Sequence, residues 1–194
     1  KKIGAEEIRT PSADNQMIGF PYTKLMNANS RVNQGAAFIL CSLEKAEQLG
    51  IPPEKYIFPH AGSEANDPFF ISNRDTLHSS PAIRVAGKKI FELSNTSVED
   101  LKHVDLYSCF PSAVQVAANE LGLSQERPLS VTGGLTFGGG PLNDYVMHSI
   151  TRMAEVLREE PGAYGLVTAN GGALTKHALN LYSTRMPENG FRHE

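Results

Sequence analysis

Short apolar, β-prone runs alternate along this chain with longer segments whose apolar residues recur every three or four positions, and glycine or proline punctuates the junctions. This alternation constrains the fold more than any other feature. Strands interleaved with helices bury their apolar faces together as a layered α/β domain.

The elements read in order. Residues 35–41 are a bounded apolar run suited to a buried strand, and 43–49 a helical stretch closed by Gly50 and Pro52. Tyr56-Ile57-Phe58 reads as a strand. Ser80 ahead of Pro81 marks a helix start, with Ile83, Ala86, Ile90 and Leu93 on one apolar face. Ser97-Val98-Glu99-Asp100 is a variant capping box before the inner strand Val104-Asp105-Leu106-Tyr107. Pro111 opens a helix carrying Val114, Ala117 and Leu121, ended by Gly122. A short strand at 129–131 runs into a glycine-rich segment from Gly133 to Pro141. Tyr145, Val146, Ile150, Met153 and Leu157 then share one face of a long helix that Pro161-Gly162 stops. Residues 164–168 and 174–182 read as an antiparallel pair at the end of the sheet, separated by Gly171-Gly172. Residues 1–34 are polar and irregular and read as loop or lid material, and 186–194 as a polar tail or linker.

A net charge of −3 and a pI near 6.1 supply no electrostatic reason for a nucleic-acid or anionic-membrane partner. No apolar run approaches the ~18 residues that span a bilayer. Lys1-Lys2-Ile3-Gly4 is charged but no signal-peptide core follows it, which leaves a cytoplasmic expectation. Cys41, Cys109 and the scattered histidines make no zinc-ligand spacing, so neither a metal nor a disulfide framework is expected. The chain lacks an initiator Met and ends in a turn-rich segment, the pattern expected of a fragment of a longer product.

Three loops at strand ends gather small and polar residues: Tyr107-Ser108-Cys109-Phe110, the segment 133–140, and Ala169-Asn170-Gly171-Gly172. Strand ends are the usual place for a site in layered α/β proteins. Cys109 reads either as a thiolate favoured by a helix N-terminus or as a small buried hydrophobe, the commoner fate of a free cysteine. Tyr107 reads either as core or as a hydroxyl for acid/base or oxyanion work. Gly133, Gly134, Gly138, Gly139 and Gly140 permit close backbone approach to a ligand, or simply tight packing of a turn. They fit neither a phosphate loop nor the dinucleotide fingerprint. His60 and His177 show no pairing with a carboxylate or nucleophile in the sequence and read as structural, and His103 and His148 read as ordinary surface or partly buried positions with nothing that sets them for proton transfer.

These loops, in this order, resemble the C-terminal half of the thiolase superfamily over roughly residues 33–183. Asn33-Gln34-Gly35-Ala36-Ala37 is similar to the family's Asp-Gly-Ala-Ala segment, with Gln34 where Asp is usual. Val104 to Phe110 resembles the strand end that carries Asn-Glu-Ala-Phe or His-Asp-Cys-Phe, and Tyr107 stands where the Asn or His of an oxyanion hole would be. Cys109 then corresponds to the family's Ala or Cys, not to its nucleophile, which belongs to the N-terminal half. Gly133 to Pro141 looks like Gly-Gly-Ala-Ile-Ala-Leu-Gly-His-Pro, with Gly140 at the histidine position. Thr168 to Gly172 looks like the turn carrying Cys-x-Gly-Gly, with Ala169 at the cysteine position.

The resemblance implies a thiolase-like layered α-β-α domain with a mixed central sheet. Residues 1–50 would end the N-terminal half, 51–185 would form the C-terminal domain, and 186–194 a tail or linker. It implies an acyl-CoA acyltransferase type of protein in lipid or steroid metabolism, with acyl-CoA as substrate and no separate cofactor. Tyr107, Cys109 and Asn170 are its candidate catalytic residues, and Gly139, Gly140, Gly171 and Gly172 its candidate substrate contacts. Two alternatives stand beside it: a retro-aldolase using Tyr107, and an inactive binding or scaffold protein. Expected partners are the protein's own N-terminal half, a homodimer mate, and an OB-fold-type partner or appended domain.

Overall fold

The computed structural model describes residues 3–194; Lys1 and Lys2, part of the N-terminal signal-peptide reading, lie outside the described residues. In chain order the elements are α1 (Ala5–Arg9), β1 (Met17–Gly19), β2 (Tyr22–Thr23), α2 (Leu43–Gln48), β3 (Phe58–Asn66), α3 (Pro81–Ser94), β4 (Leu101–Asp105), α4 (Pro111–Leu121), α5 (Gly134–Phe137), α6 (Tyr145–Glu159), β5 (Tyr164–Gly171), β6 (Lys176–Ser183) and β7 (Arg192–His193). Local chemistry sets the helix ends. The Ile83 N–H donates to Ser80 Oγ at the start of α3, Ser97 and Asp100 bond reciprocally, and Gly122 takes the left-handed conformation that ends α4.

The main sheet runs β4-β5-β6-β3-β7. Parallel pairs β4–β5 and β3–β7 flank the antiparallel pairs β5–β6 and β6–β3, so the sheet is mixed. Side chains alternate faces along a strand, and two cores follow. Leu166, Leu179 and Leu181 join Ile83, Ala86 and Ile90 of α3 and Ala117 and Leu121 of α4. Val167, the neighbour of Leu166, points the other way onto Met153 and Leu157 of α6. The result is the expected α-β-α layering.

Several elements differ from their sequence reading, each for a physical reason. The run 35–41 is not a buried strand: Ile39 and Leu40 are 89% and 78% exposed, and no described strand supplies the ladder a strand needs. The pair β5–β6 lies inside the sheet, not at its end, because β4 adds beside β5 and β3 beside β6. β3 extends to Asn66, well beyond Phe58, through Pro and small residues of low strand propensity. Smallness is what the position demands, since a side chain at Gly62 would run into Asn180, His193 and Phe191. The C-terminal residues are tied down: β7 pairs with β3, and Lys89 Nζ meets Glu194 at 2.8 Å. The N-terminal segment holds α1 and a small hairpin around the Asn15 amide, which donates to the carbonyls of Glu7, Ile8 and Thr10. β4 stops at Asp105, two residues short of Tyr107.

The expected strand at 129–131 is absent: Leu129 O accepts from the Leu106 N–H at 2.9 Å, but beyond it a side chain takes the place of a strand partner. Asp105, fully buried, accepts at Oδ2 from the N–H groups of Val131 and Thr132 (2.9 and 3.1 Å) and the hydroxyls of Ser130 and Thr132 (both 3.0 Å). Its Oδ1 accepts from the Tyr145 and Ser149 hydroxyls of α6, each at 3.0 Å. One carboxylate thus joins the end of β4, the glycine segment and the long helix. Asp105→Asn removes the charge and turns an NH₂ toward donors. We expect it to lower the unfolding free energy by about 3 kcal/mol, read as a lower urea midpoint at unchanged slope. A loss under about 0.5 kcal/mol would mean that these donors re-pair without the charge.

Candidate functional site

Parallel pairing brings the carboxyl ends of β4 and β5 out at the same end of the sheet. The chain leaving β4 is held against β5 by the Tyr107 N–H, which donates to Thr168 Oγ1 at 2.9 Å. The Tyr107 ring stands edge-on to Tyr145, centroids 5.3 Å apart. Two residues on, the Asn170 side chain at the end of β5 acts on the Cys109 thiol in favour of the thiolate. The structure therefore brings Tyr107, Cys109 and Asn170 together from two strand ends. Tyr107, Ala169 and Asn170 also line a small cavity with Ile83, Ala113 and His177.

Burial sets the electrostatics. It pushes the Tyr107 phenol above its usual range, with the nearby Cys109 adding to the shift. It pushes the Cys109 thiol up as well, against the Phe110 backbone and the Asn170 side chain, which favour the thiolate. Of the two readings of Cys109, the thiolate favoured by the start of α4 is the one desolvation opposes. Tyr145 rises to about 12, by burial first and the Asp105 charge second.

The glycine segment is a turn under a cover. Gly133 and Gly134 adopt φ of +90° and +77°, and a side chain on Gly134 would meet Ser108 Oγ, which itself accepts from the Leu135 N–H at 3.0 Å. Gly139, at φ +92°, lies directly beneath the Gln34 side chain, whose amide donates to the Gly138 carbonyl at 3.0 Å. Gly140 donates to Asn29 O at 2.8 Å and lies against Ala28. The N-terminal segment also bonds Cys109 O through the Ala28 N–H and, through Asn27 O, the Thr136 hydroxyl. Tyr22 completes the cover by packing on Phe110 and donating to Ser112 Oγ at 2.9 Å. Gly171 and Gly172 form the β5–β6 turn, with Gly172 at φ +66° against Thr175.

Two groups next to the site escaped sequence reasoning. Asp105 read as an ordinary strand residue, and its isolation in an apolar run was the available signal. His177 looked unpaired, yet its Nε2 is 3.4 Å from both Asp67 Oδ2 and Ser80 Oγ, and all three residues are buried. Their distance along the chain left no local pattern to find. His60 is structural: Nε2 contacts the Arg185 carbonyl at 2.7 Å, and burial lowers its pKa. His148 pairs with Asp144 at 3.1 Å one helical turn away, and His103 Nε2 is 3.6 Å from Glu160. Among the described residues no group of His, Cys, Asp and Glu could hold a metal, and no helix is long and apolar enough to cross a membrane.

Because burial raises the Cys109 thiol while Cys41 is exposed, alkylation should discriminate between them. At pH 7, iodoacetamide should modify Cys41 at least about tenfold faster, and Cys109 labelling should climb only at a higher pH than an ordinary thiol requires. Peptide mapping by mass spectrometry measures both rates; equal labelling at pH 7 contradicts the raised thiol of half-buried Cys109.

No family model matches the chain. Its sequence is similar to the probable acetyl-CoA acetyltransferase of Mycobacterium leprae, at 29% identity over 153 residues, covering 78% of this chain and 36% of that protein. It is 31% identical over 147 residues to acetyl-CoA acetyltransferase IA of Candida tropicalis, covering 75% of this chain and 34% of that protein. The fold matches a monomeric SCP2-thiolase-like protein type 1 from Mycobacterium smegmatis with a TM-score of 0.88 and 37% identity, over 95% of this chain and 41% of that one. The chain spans little more than a third of the curated relatives' length. A fold match covering nearly all of this chain, joined to sequence similarity with acetyl-CoA acetyltransferases, supports its assignment to the thiolase-like superfamily.

Proposed function

We propose that this chain is the C-terminal, acyl-CoA-handling part of a thiolase-like protein of cytoplasmic lipid or steroid acyl-CoA metabolism, in which the usual acid and base side chains are replaced. The observation that carries this reading is the meeting of Tyr107, Cys109 and Asn170 at two strand ends, next to Ala169, together with Gly140 in the glycine segment; neither Gly nor Ala has a group able to move a proton. Losing a general acid or base costs about 10²- to 10⁴-fold, so Claisen turnover through this half is not expected. Acyl-CoA is the substrate, and no separate cofactor is needed.

Carbon–carbon cleavage suits the residues present. In a retro-aldol reaction of a β-hydroxyacyl-CoA the hydroxyl loses its proton and the Cα–Cβ bond breaks to release a carbonyl compound. The bonding pair moves to the thioester as an enolate, which takes up a proton to become the shortened acyl-CoA. A phenol held protonated by burial is a hydrogen-bond donor, so Tyr107 serves the enolate oxygen rather than removing the hydroxyl proton. Asn170 offers a second donor, an amide, to the same region. The partners proposed are the protein's own N-terminal half, which the exposed apolar run at 38–40 suits, a homodimer mate, and an OB-fold-type partner or appended domain.

A second reading, a binding or scaffold protein, is favoured by Gln34 and Ala28, which cover Gly139 and Gly140 where a substrate would otherwise lie. The full-length protein distinguishes the readings when thiolysis of acetoacetyl-CoA and aldol cleavage of a β-hydroxyacyl-CoA are assayed side by side. We expect thiolysis at background, and aldol cleavage that Tyr107→Phe lowers about 10²-fold or more. Thiolysis at an ordinary enzymatic rate overturns the replacement of acid and base. Neither activity, together with no CoA binding by calorimetry, leaves the scaffold.

A further inference from the structure

Between Asp67 and Ser80 the chain leaves β3 and returns to almost the same point before α3 begins. The Ser80 hydroxyl donates to Asp67 Oδ2, the Ala82 N–H donates to Asp67 Oδ1 at 3.2 Å, and His177 Nε2 stands 3.4 Å from both Asp67 Oδ2 and Ser80 Oγ. His177 in turn lines the small cavity with Tyr107 and Asn170. A surface loop of this length whose two ends meet is an Ω-loop, a compact unit that is frequently functional. Its base here rests on a residue of the cavity wall.

The loop is braced against the strand end that carries Asn170. The Asp67 N–H donates to Thr175 O at 2.8 Å, and Arg74 donates to Pro68 O at 3.1 Å, to Ala173 O at 2.7 Å and to Thr175 Oγ1 at 2.9 Å. Ala173 and Thr175 belong to the turn between β5 and β6, which follows Asn170. With its base closed and its middle tied to that turn, the loop presents Phe69, Phe70, Ile71 and Leu77 to solvent, at 72%, 65%, 48% and 68% exposure. The two phenylalanine rings lie edge to face, centroids 5.4 Å apart. Phe69 is two residues from Asp67, so its Cα lies within about 7 Å of the Asp67 Cα.

Single exposed apolar side chains are ordinary, but four within nine residues, two of them aromatic, on a braced loop beside a cavity make a binding surface. Charge narrows what it takes. Within residues 68–79 the charged side chains are Arg74 and Asp75, and Arg74 is committed to three oxygens of its own chain, so the loop offers no free lysine or arginine to a lipid headgroup or a nucleic acid. The cavity is small, and the body of a large acyl group has to lie outside it. We propose that this Ω-loop sets acyl-group specificity: Phe69, Phe70 and Ile71 hold the apolar part of a β-hydroxyacyl-CoA whose reacting carbons meet Tyr107 and Asn170. The proposal rests on the acyl-CoA reading of the site. Binding of CoA alone tests that reading, and the gain from lengthening the acyl group tests the loop, so the two fail separately.

The test is calorimetric titration of the full-length protein with CoA, β-hydroxybutyryl-CoA and β-hydroxydecanoyl-CoA, in the parent and in a variant carrying Phe69→Ser and Phe70→Ser. Both positions are exposed, so the variant should fold as the parent does, with the same urea midpoint. The parent should bind the decanoyl ligand about tenfold or more tightly than the butyryl one. The variant should lose most of that preference while its dissociation constants for CoA and β-hydroxybutyryl-CoA stay within about twofold of the parent's, as expected when apolar burial alone is removed. A parent without the preference, or a preference kept in the variant, overturns the proposal and leaves the acyl-CoA reading standing; so does a variant that binds all three ligands more weakly by the same factor. Sedimentation velocity covers the other occupant: a parent oligomer that the variant dissociates assigns the loop to a protein contact and overturns the proposal. A parent that binds neither CoA nor either acyl-CoA sinks the reading and the proposal together.

Discussion

A buried carboxylate organises the functional end of this molecule. Taking Asp105 out of water costs several kcal/mol, and an unpartnered charge there would not be tolerated. Backbone N–H groups of Val131 and Thr132 and hydroxyls from Ser130, Thr132, Tyr145 and Ser149 offset that cost with charge-assisted hydrogen bonds. Each donor belongs to a segment that would otherwise lack a reason to sit where it does. The glycine turn, the start of α6 and the end of β4 are thus fixed to a common point, and Tyr107, which packs on Tyr145, is fixed with them.

The site inherits its shape from two such attachments. Asp105 holds the side formed by Tyr107 and the glycine segment, and the cluster around Asp67 lies beneath the turn that carries Asn170. Between them the N-terminal segment acts as a cover, exchanging backbone bonds with Cys109, Leu135 and Gly140. The glycines are small here because other parts of the same chain press on them. Gln34 lies where a side chain on Gly139 would be, and Ser108 where one on Gly134 would be.

Protonation follows from the same geometry. Cys109 stands just ahead of a helix and beside an amide, both of which favour thiolate, yet its thiol is raised because desolvation is the larger effect. Tyr107 and Tyr145 move in the same direction for the same reason. The neighbourhood is therefore one of held protons and hydrogen-bond donors, suited to stabilising charge that develops on a ligand oxygen and poorly suited to nucleophilic attack.

The sequence by itself determined the longer helices, the layering and the loops that follow β4 and β5, because those features rest on local rules. Ser80, the Ser97–Asp100 box, Gly122 and the apolar faces of α3 and α6 act within a few residues of themselves. The same loops also carried the family resemblance that the fold match bears out. Only the tertiary structure decided which strands are central, why β3 extends through Pro and small residues, and what takes the place of a strand at 129–131. Those outcomes depend on partners distant in sequence: β6 for β3, the Asp105 side chain for Val131, and Asp67 and Ser80 for His177. A hydrogen-bond partner a hundred residues away leaves no periodicity to read, and a run such as 35–41 is β-prone in sequence yet becomes a strand only where another strand completes its ladder.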